Sequence, residues 1–455
     1  MEPHTTAAQQ YFPTYKIDPQ WREIGLHEYN LAAKGLEADQ RSLNLAAGIV
    51  LFFSGGLTTF AGSGSGTTAF LEMSRTFGAS FQIIISTTII LVASLSVHYF
   101  SQLQRSATYA ARKIVVLRRL LGLDYGNVET VLPSDSLDGA NEPFSIAMFP
   151  GWSSIQAIPA ITVAMVAASA NAVSFIGFYY AKTEVNDWLA KWGVISPIKV
   201  AFGIGIATAT ILLAFYKRSL FEDFETGRLY MADKVATILR TPIKRRLGHV
   251  LYRLRLSVGE ADRLKIPLKD FHPLLVFIED KEFYKSNGNS IRAIIAAASR
   301  YILYRSKSGG STIYQQLARS NFLTTLDPPL RRKILEWLLA PWLNHIFSKT
   351  EGLNAYLCSV RFERGVLGLS AAIRHFFPNH DISQPLEPWQ RFILIERLSN
   401  VSGTLNTRRV NRLARMARDA GYITNADIVD MDVGYRAISS AGKIRIDPAC
   451  PPLTP

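Results

Sequence analysis

Four stretches of about twenty apolar residues, all before residue 217, decide what this chain can become. They are Leu43–Gly62, Phe81–Phe100, Ala157–Tyr180 and Ile198–Tyr216. A helix needs ~20 mostly apolar residues to cross the hydrocarbon of a bilayer, so each is long enough to span. Phe81–Phe100 contains no Asp, Glu, Lys or Arg, and Lys217-Arg218 follow the fourth stretch as an interfacial anchor would. The competing reading, buried helices of a soluble core, does not account for those two features. The third and fourth stretches are rich in Ala, Gly and Ser, which lets helices approach closely in a membrane. The fold expected is mostly α: a polytopic α-helical membrane domain followed by an α-helical globular domain.

The remaining sequence divides around these spans. Residues 1–42 read as a polar N-terminal helix, 43–100 as a first transmembrane pair, 101–153 as a basic soluble loop domain and 154–216 as a second pair. Residues 217–263 read as a basic helical connector containing Lys244-Arg245-Arg246, 264–430 as a compact helical domain and 431–455 as a tail. The first forty residues are polar, so no cleavable signal peptide is expected. Positive charge is biased to one side of the spans. Lys16, Arg22, Lys34 and Arg41, the run Arg105, Arg112, Lys113, Arg118 and Arg119, and the connector share that side; Arg75, Lys182 and Lys191 lie opposite. The positive-inside rule then assigns the N-terminus, the middle segment and the C-terminal half to the cytoplasm.

The net charge of +14 calls for anionic partners. With membrane segments present, lipid head groups and pyrophosphates fit better than nucleic acid, for which no helix-turn-helix, zinc or RNP-like pattern exists. Cys358 and Cys450 have no metal spacing and define no disulfide framework. His345, His375 and His380 show no pairing that would hold a metal.

The chemistry is concentrated in three polar runs: Glu279-Asp280-Lys281-Glu282-Phe283, Gly309 to Leu317 (GGSTIYQQL) and Arg332-Lys333-Ile334-Leu335-Glu336. Ser311 follows two glycines and precedes an apolar-periodic run, so it is expected to cap a helix. Arg292–Tyr304 reads as another helix. Asp327-Pro328-Pro329 starts a helix over Leu330–Phe347, on which Arg332, Lys333 and Glu336 share one face and Pro341 interrupts. Taken singly, each run has a plain reading: a helix end, a cap, a surface ion-pair ladder.

In this order the runs resemble glycosyltransferase family 51, the peptidoglycan glycosyltransferase domain of penicillin-binding proteins and monofunctional transglycosylases. The resemblance spans about residues 271–424. The family pattern E-D-x-x-F-x-x-H-x-G is matched at Glu279, Asp280, Phe283 and Gly288; G-G-S-T-I-T-Q-Q-L at Gly309–Ile313 and Gln315–Leu317; R-K-x-x-E at Arg332, Lys333 and Glu336. It implies a lysozyme-like α-helical transglycosylase fold and a hexosyltransferase that consumes lipid II, a polyprenyl-pyrophosphate-linked disaccharide, with inversion. By resemblance Glu279 is the general base and Glu336 the second catalytic carboxylate. Asp280, Phe283, Ser311, Thr312, Gln315, Gln316, Arg319, Arg332 and Lys333 are the substrate-binding set. No cofactor is required, no protein metal site is expected, and a divalent Mg or Mn at the pyrophosphate is compatible. A bacterial inner (cytoplasmic) membrane location and lipid II and membrane lipids as partners follow, with a homo-oligomer also compatible. The family works on the outer face of that membrane, opposite to the side given by the charge bias.

Several positions depart from the family pattern: Ser286 for histidine, Tyr314 for threonine, Arg319 for lysine, Ser320 for asparagine and Asn344 for glutamate. The usual I-L-E-x-Y-L-N is Gly352-Leu353-Asn354-Ala355-Tyr356-Leu357-Cys358. Two alternatives to an enzyme therefore stand beside it: a degenerate domain that binds lipid II without turnover, and a membrane effector, of the kind found in bacterial defence, with a transglycosylase-like sensor.

Overall fold

The computed structural model describes residues 17–62, 64–122, 144, 146–151, 154–181, 196–244, 247–289, 311–324, 328–399, 404–446 and 452–453. The expected helix Arg292–Tyr304, Gly309-Gly310, Arg245-Arg246, Asp327 and Cys450 lie outside the described residues. The chain forms two compact units, Tyr15–Glu222 and Asp223–Pro455.

The N-terminal unit consists of α1 (Arg22–Gly62), α2 (Gly64–Leu120), α3 (Ile158–Ala181) and α4 (Pro197–Ser219). The polar N-terminal segment and the first expected span are one helix, α1. The basic stretch after the second expected span continues α2 unbroken to Leu120. At 1.5 Å per residue this 57-residue helix is roughly 85 Å long, far more than a bilayer's hydrocarbon needs. Four spans were expected. Among the described residues three helical segments are long and apolar enough to cross a membrane: Ile83–Arg118, Ile158–Tyr179 and Pro197–Ser219. Leu43–Gly62 is helical, but the side chains of 53–54 and 57–62 lie outside the described set.

The packing is consistent with a bundle in a bilayer. Small side chains face inward: Ala160, Ala164, Ala167 and Ala168 of α3 are buried, while Ile83, Leu91, Leu95, Ile198, Phe202 and Ile206 are exposed. A Cβ on Gly205 would stand 3.3 Å from the Ala168 carbonyl oxygen, so α3 and α4 touch through the small residues the sequence offered. Asn171 donates to Thr208 Oγ1 between them at 3.4 Å. The basic extension of α2 holds the end of α4. Arg105 donates to the carbonyls of Ser219 and Phe221 at 3.1 and 2.8 Å, satisfying orphan acceptors at a helix C-terminus. Arg112 forms a two-pronged ion pair with Glu222 at 2.8 and 3.1 Å. The basic stretch and the exit of α4 therefore share one side of the bundle.

The C-terminal unit is helical around one core. Its elements are α5 (Gly227–Ile238), α6 (Leu247–Arg263), α7 (His272–Glu279), α8 (Ile313–Asn321), α9 (Pro329–Ile346), α10 (Lys349–Ser359), β1 (Arg361–Glu363), β2 (Val366–Leu367), α11 (Leu369–Phe376), α12 (Pro388–Ser399), β3 (Thr404–Leu405), α13 (Thr407–Asp419), α14 (Asn425–Ser440) and β4 (Arg445–Ile446). Among the described residues the strands make two small pairs, β1 with β2 antiparallel and β3 with β4 parallel. The expected connector supplies two helices to this core: Leu229, Ala232 and Ala236 of α5 and Leu251, Leu254 and Ala261 of α6 are buried within it. Trp342 of α9, fully buried, donates through Nε1 to the Phe224 carbonyl at 2.7 Å.

One junction places the site. Pro341 inside α9 has no N–H, which leaves the Trp337 carbonyl without its helical donor. Asn289 Nδ2 fills that role at 2.7 Å. Gly288 beside it has φ +91°, and a Cβ there would lie 2.5 Å from the Ala340 carbonyl oxygen. Only glycine meets both demands. Thr312 Oγ1 then donates to the Gly288 carbonyl at 2.7 Å and Gln315 Nε2 to Asn289 Oδ1 at 3.0 Å. The Gly288-Asn289 turn thus clamps the start of α8 against the proline break in α9.

Candidate active site

Glu279 is the last residue of α7, half-buried, and both of its oxygens are engaged. Gln316 Nε2 donates to Oε2 at 2.8 Å, and the hydroxyl of Ser399 at the end of α12 donates to Oε1. Tyr356 of α10, fully buried, donates its phenol to Gln316 Oε1 at 2.8 Å. That bond fixes which end of the amide faces Glu279. Ser399 and Tyr356 were not among the expected site residues. Ser399 is 120 residues from Glu279, and no local pattern marks it.

Glu336 is completely buried in α9 and surrounded by cations. Arg319 Nε lies 2.6 Å away, Lys333 Nζ 2.8 Å and Arg332 Nε 3.2 Å. Burial works to raise this carboxyl, but Arg319 and Lys333 outweigh it and hold the group below the ordinary carboxylate range. Burial also depresses the Lys333 ammonium, with Glu336 pulling the other way and Arg319 and Arg332 adding to the depression. Ser311 sits over the cations, its hydroxyl 2.5 Å from Lys333 Nζ and 3.2 Å from Arg319 Nη2. Three cations against one carboxylate leave a local excess of positive charge, and the Lys333 side chain is 43% exposed. Gln316 and Arg319 are three residues apart on α8, so one helix face reaches Glu279 with the first and Glu336 with the second.

The other expected residues serve this frame. The helix cap is Thr312, not Ser311: α8 begins one residue later than expected, and Thr312 Oγ1 accepts from the Gln315 amide at 3.2 Å. Its hydroxyl is committed to backbone on both sides, and Gln315 is committed to Asn289. Asp280 accepts from the Ile313 amide at 3.2 Å; burial pushes its carboxyl up, opposed by that amide and by Lys349. Phe283 is fully buried and stacked on Tyr314 with ring centroids 5.3 Å apart. Lys349, at the start of α10, fastens the turn after Glu279. It donates to the carbonyls of Phe283 and Ser286 at 2.8 and 2.6 Å and to Asn344 at 2.7 Å, and lies over the Phe283 ring.

The departures from the family pattern fit one another. Tyr314 is buried, and a Cβ on Gly352 would stand 2.5 Å from its hydroxyl oxygen. The tyrosine that replaces threonine therefore occupies the space vacated where glycine replaces isoleucine. Asn344 accepts from Lys349, and Asn354 pairs with His272 at 2.8 Å. Cys358 is buried and its thiol is pushed up to about 12 by burial, so it packs as a small apolar residue. Among the described residues no three His, Cys, Asp or Glu side chains group as a metal site. The one buried carboxylate beside the cations is already saturated by them, so this donor set does not suit a protein-held divalent ion.

Residues 259–423 match the transglycosylase family. Penicillin-binding protein 1A of Rickettsia felis is 34% identical over 177 residues, 36% of this chain and 22% of that protein. Penicillin-binding protein 1F of Bacillus subtilis is 30% identical over 167 residues, 35% of this chain and 23% of the relative. The biosynthetic peptidoglycan transglycosylase of Nitrosomonas eutropha is 34% identical over 145 residues, 32% of this chain and 58% of the relative. The chain thus spans about a fifth of the penicillin-binding proteins and just over half of the transglycosylase. The apolar helices precede the matched segment.

Two outcomes follow for the site. Gly352→Ile alone overpacks the core and costs about 1–3 kcal/mol. Tyr314→Thr alone leaves a hole and costs about 3 kcal/mol. The double variant recovers much of both losses, as read from denaturation of the full chain in detergent; strictly additive losses would contradict the complementarity. The second outcome concerns pH. The folded-state value of Glu336 is depressed, so its contribution is complete above the unfolded carboxyl value of ~4.3 and fades as pH falls through the lower folded value. Asp280, raised by burial, works with opposite sign in the same acid range. Glu336→Gln removes only the first contribution. It destabilises by about 3 kcal/mol at neutral pH, and its gap from wild type narrows as pH falls below the unfolded carboxyl value of ~4.3. Thermal unfolding measures that gap, and a constant gap down to the acid end would refute the assignment.

Proposed function

We propose that this chain, whose residues 259–423 match the transglycosylase family, is a membrane-anchored peptidoglycan glycosyltransferase acting on lipid II. One observation carries the reading: a single face of α8 joins a half-open carboxylate, Glu279, to a cation cluster built on a buried one, Glu336. A glycosyl transfer with a pyrophosphate leaving group needs those two parts at a fixed separation.

The acceptor's sugar hydroxyl attacks the anomeric carbon of the donor. A new C–O bond forms, the bond to the pyrophosphate oxygen breaks, and configuration inverts. Glu279 takes the hydroxyl proton and later returns it to solvent. Gln316 and Ser399, each on a different oxygen, hold the carboxylate plane while leaving further lone pairs for the acceptor. The departing pyrophosphate is met by Arg319, Arg332, Lys333 and the Ser311 hydroxyl. Glu336 does not touch substrate in this scheme; it gathers the three cations and keeps them from repelling one another. Asp280, Phe283, Thr312 and Gln315 keep the two halves in register, and no step is routed through a metal. The alternative of a binder without turnover rests on Ser286 and the other changed positions. Their mutual fit in the core argues for a repacked site rather than a decayed one.

Purified full chain supplied with lipid II is expected to release polyprenyl pyrophosphate and form glycan. Glu279→Gln is expected to lower kcat on the order of 10²–10⁴-fold. Ser399→Ala is expected to lower kcat on the order of 10-fold with KM unchanged, and Ser399→Thr to restore it. Binding of lipid II with no turnover in either wild type or variants would transfer the reading to the binding protein. The inner membrane of a bacterium is the proposed location, with the C-terminal unit on the outer face, because a long polar glycan is useful only where it need not cross the bilayer. A reporter fused after Pro455 is expected to be externally exposed. A cytoplasmic reporter would instead favour the charge bias and a role before the precursor is moved outward.

A further inference from the structure

A cavity of about 770 Å³ opens in the C-terminal unit beside the motif turn, and neither Ser311 nor the cations around Glu336 are among its described lining residues. Arg228 and Met231 of α5 form one wall, Glu282 and Lys285 of the turn after Glu279 another, and Trp337 and Leu338 of α9 the third. Its composition is unusual for a solvent groove. The side chains of Arg228 and Lys285 have no hydrogen-bond or ion-pair partner among the described residues. Met231 and Trp337 are 59% and 47% exposed, an apolar surface that water alone does not favour. Among the described lining residues Glu282 is the only acid, against Arg228 and Lys285, so that lining has a positive balance.

We propose that this cavity binds an anionic phospholipid of the bilayer, its phosphate between Arg228 and Lys285 and an acyl chain along Met231, Leu338 and Trp337. The two cations supply charge-assisted hydrogen bonds to phosphate. A free anion would use them and leave the apolar wall wet, whereas a neutral lipid would use the wall and leave the cations unmatched. A lipid of both characters satisfies the whole lining. The bilayer is the proposed source, since in the chain only Leu220–Thr226 separate the apolar helix α4 from α5. The same helices also expose Tyr230, Ile238, Leu330 and Ile334, apolar surface suited to lipid. Because one wall is the turn that follows Glu279, a bound lipid would brace that turn from behind.

The test uses the full chain in a neutral detergent and involves no turnover, so it is independent of the transferase reading. Phosphatidylglycerol is expected to raise the unfolding temperature by about 3–8 °C, and native mass spectrometry is expected to retain it. The Arg228→Ala/Lys285→Ala variant, altered at exposed positions, should unfold within about 1 °C of wild type without lipid. It should lose most of the shift and retain one lipid fewer. Met231→Glu, which changes only the apolar wall, should give the same loss. Equal stabilisation of wild type and both variants by phosphatidylglycerol would overturn the site. An equal shift of wild type with phosphatidylcholine of the same chains, or with inorganic phosphate, would overturn the anionic-lipid assignment.

Discussion

An ionised carboxylate shut away from water is costly unless charge and hydrogen bonds replace its solvation. Glu336 meets that requirement with cations from two helices, and much of the site depends on how it does so. Arg332 and Lys333 come from its own turn of helix. Arg319 closes the shell from α8, so α8 must dock on α9 at one register. That register brings Gln316, one turn earlier on the same face, to Glu279. The position of the half-open carboxylate is thus tied to the saturation of the buried one. Truncation at either end of this chain of contacts should be felt at the other.

The proline break in α9 is the second fixed point. A proline within a helix usually leaves a carbonyl to water. Here Asn289 takes that carbonyl, and its neighbour glycine fits where no side chain could. The turn therefore converts a local defect of one helix into a seat for another. Gly288, which from sequence alone is one more matched position of a motif, has a definite steric reason to be glycine.

The motifs could be placed on elements from sequence because their signals are local. Glu279 closing an apolar run, a Ser-Thr pair before α8, and Arg332, Lys333 and Glu336 on one face of α9 all depend on neighbours a few residues away. The exact cap was off by one residue, since two adjacent hydroxyls are equally plausible until the first helical turn is fixed. The burial of Glu336 was not legible: the same spacing makes a solvated ion-pair ladder unless a third cation arrives from elsewhere. The contacts of Ser399, Tyr356 and Lys349 were not legible for a related reason. Each reaches across 40 to 120 residues of chain through its side chain, which leaves no periodicity. The membrane half was legible in composition and in its small-residue contacts. The role of Arg105 and Arg112 in fastening the end of α4 depends on tertiary proximity that charge counting cannot supply.

The Tyr314–Gly352 contact also bears on how such a core can be reached. A lineage passing from a threonine–isoleucine pair to the tyrosine–glycine pair by single replacements has two routes. If tyrosine comes first, its ring meets a branched side chain in a packed interior. If glycine comes first, the interior holds a void. Voids in a core can shrink by small movements of their walls, whereas overlap must displace backbone. Either intermediate still costs on the order of 1–3 kcal/mol, so neither single replacement is free, and the second restores the fit that the first one loses.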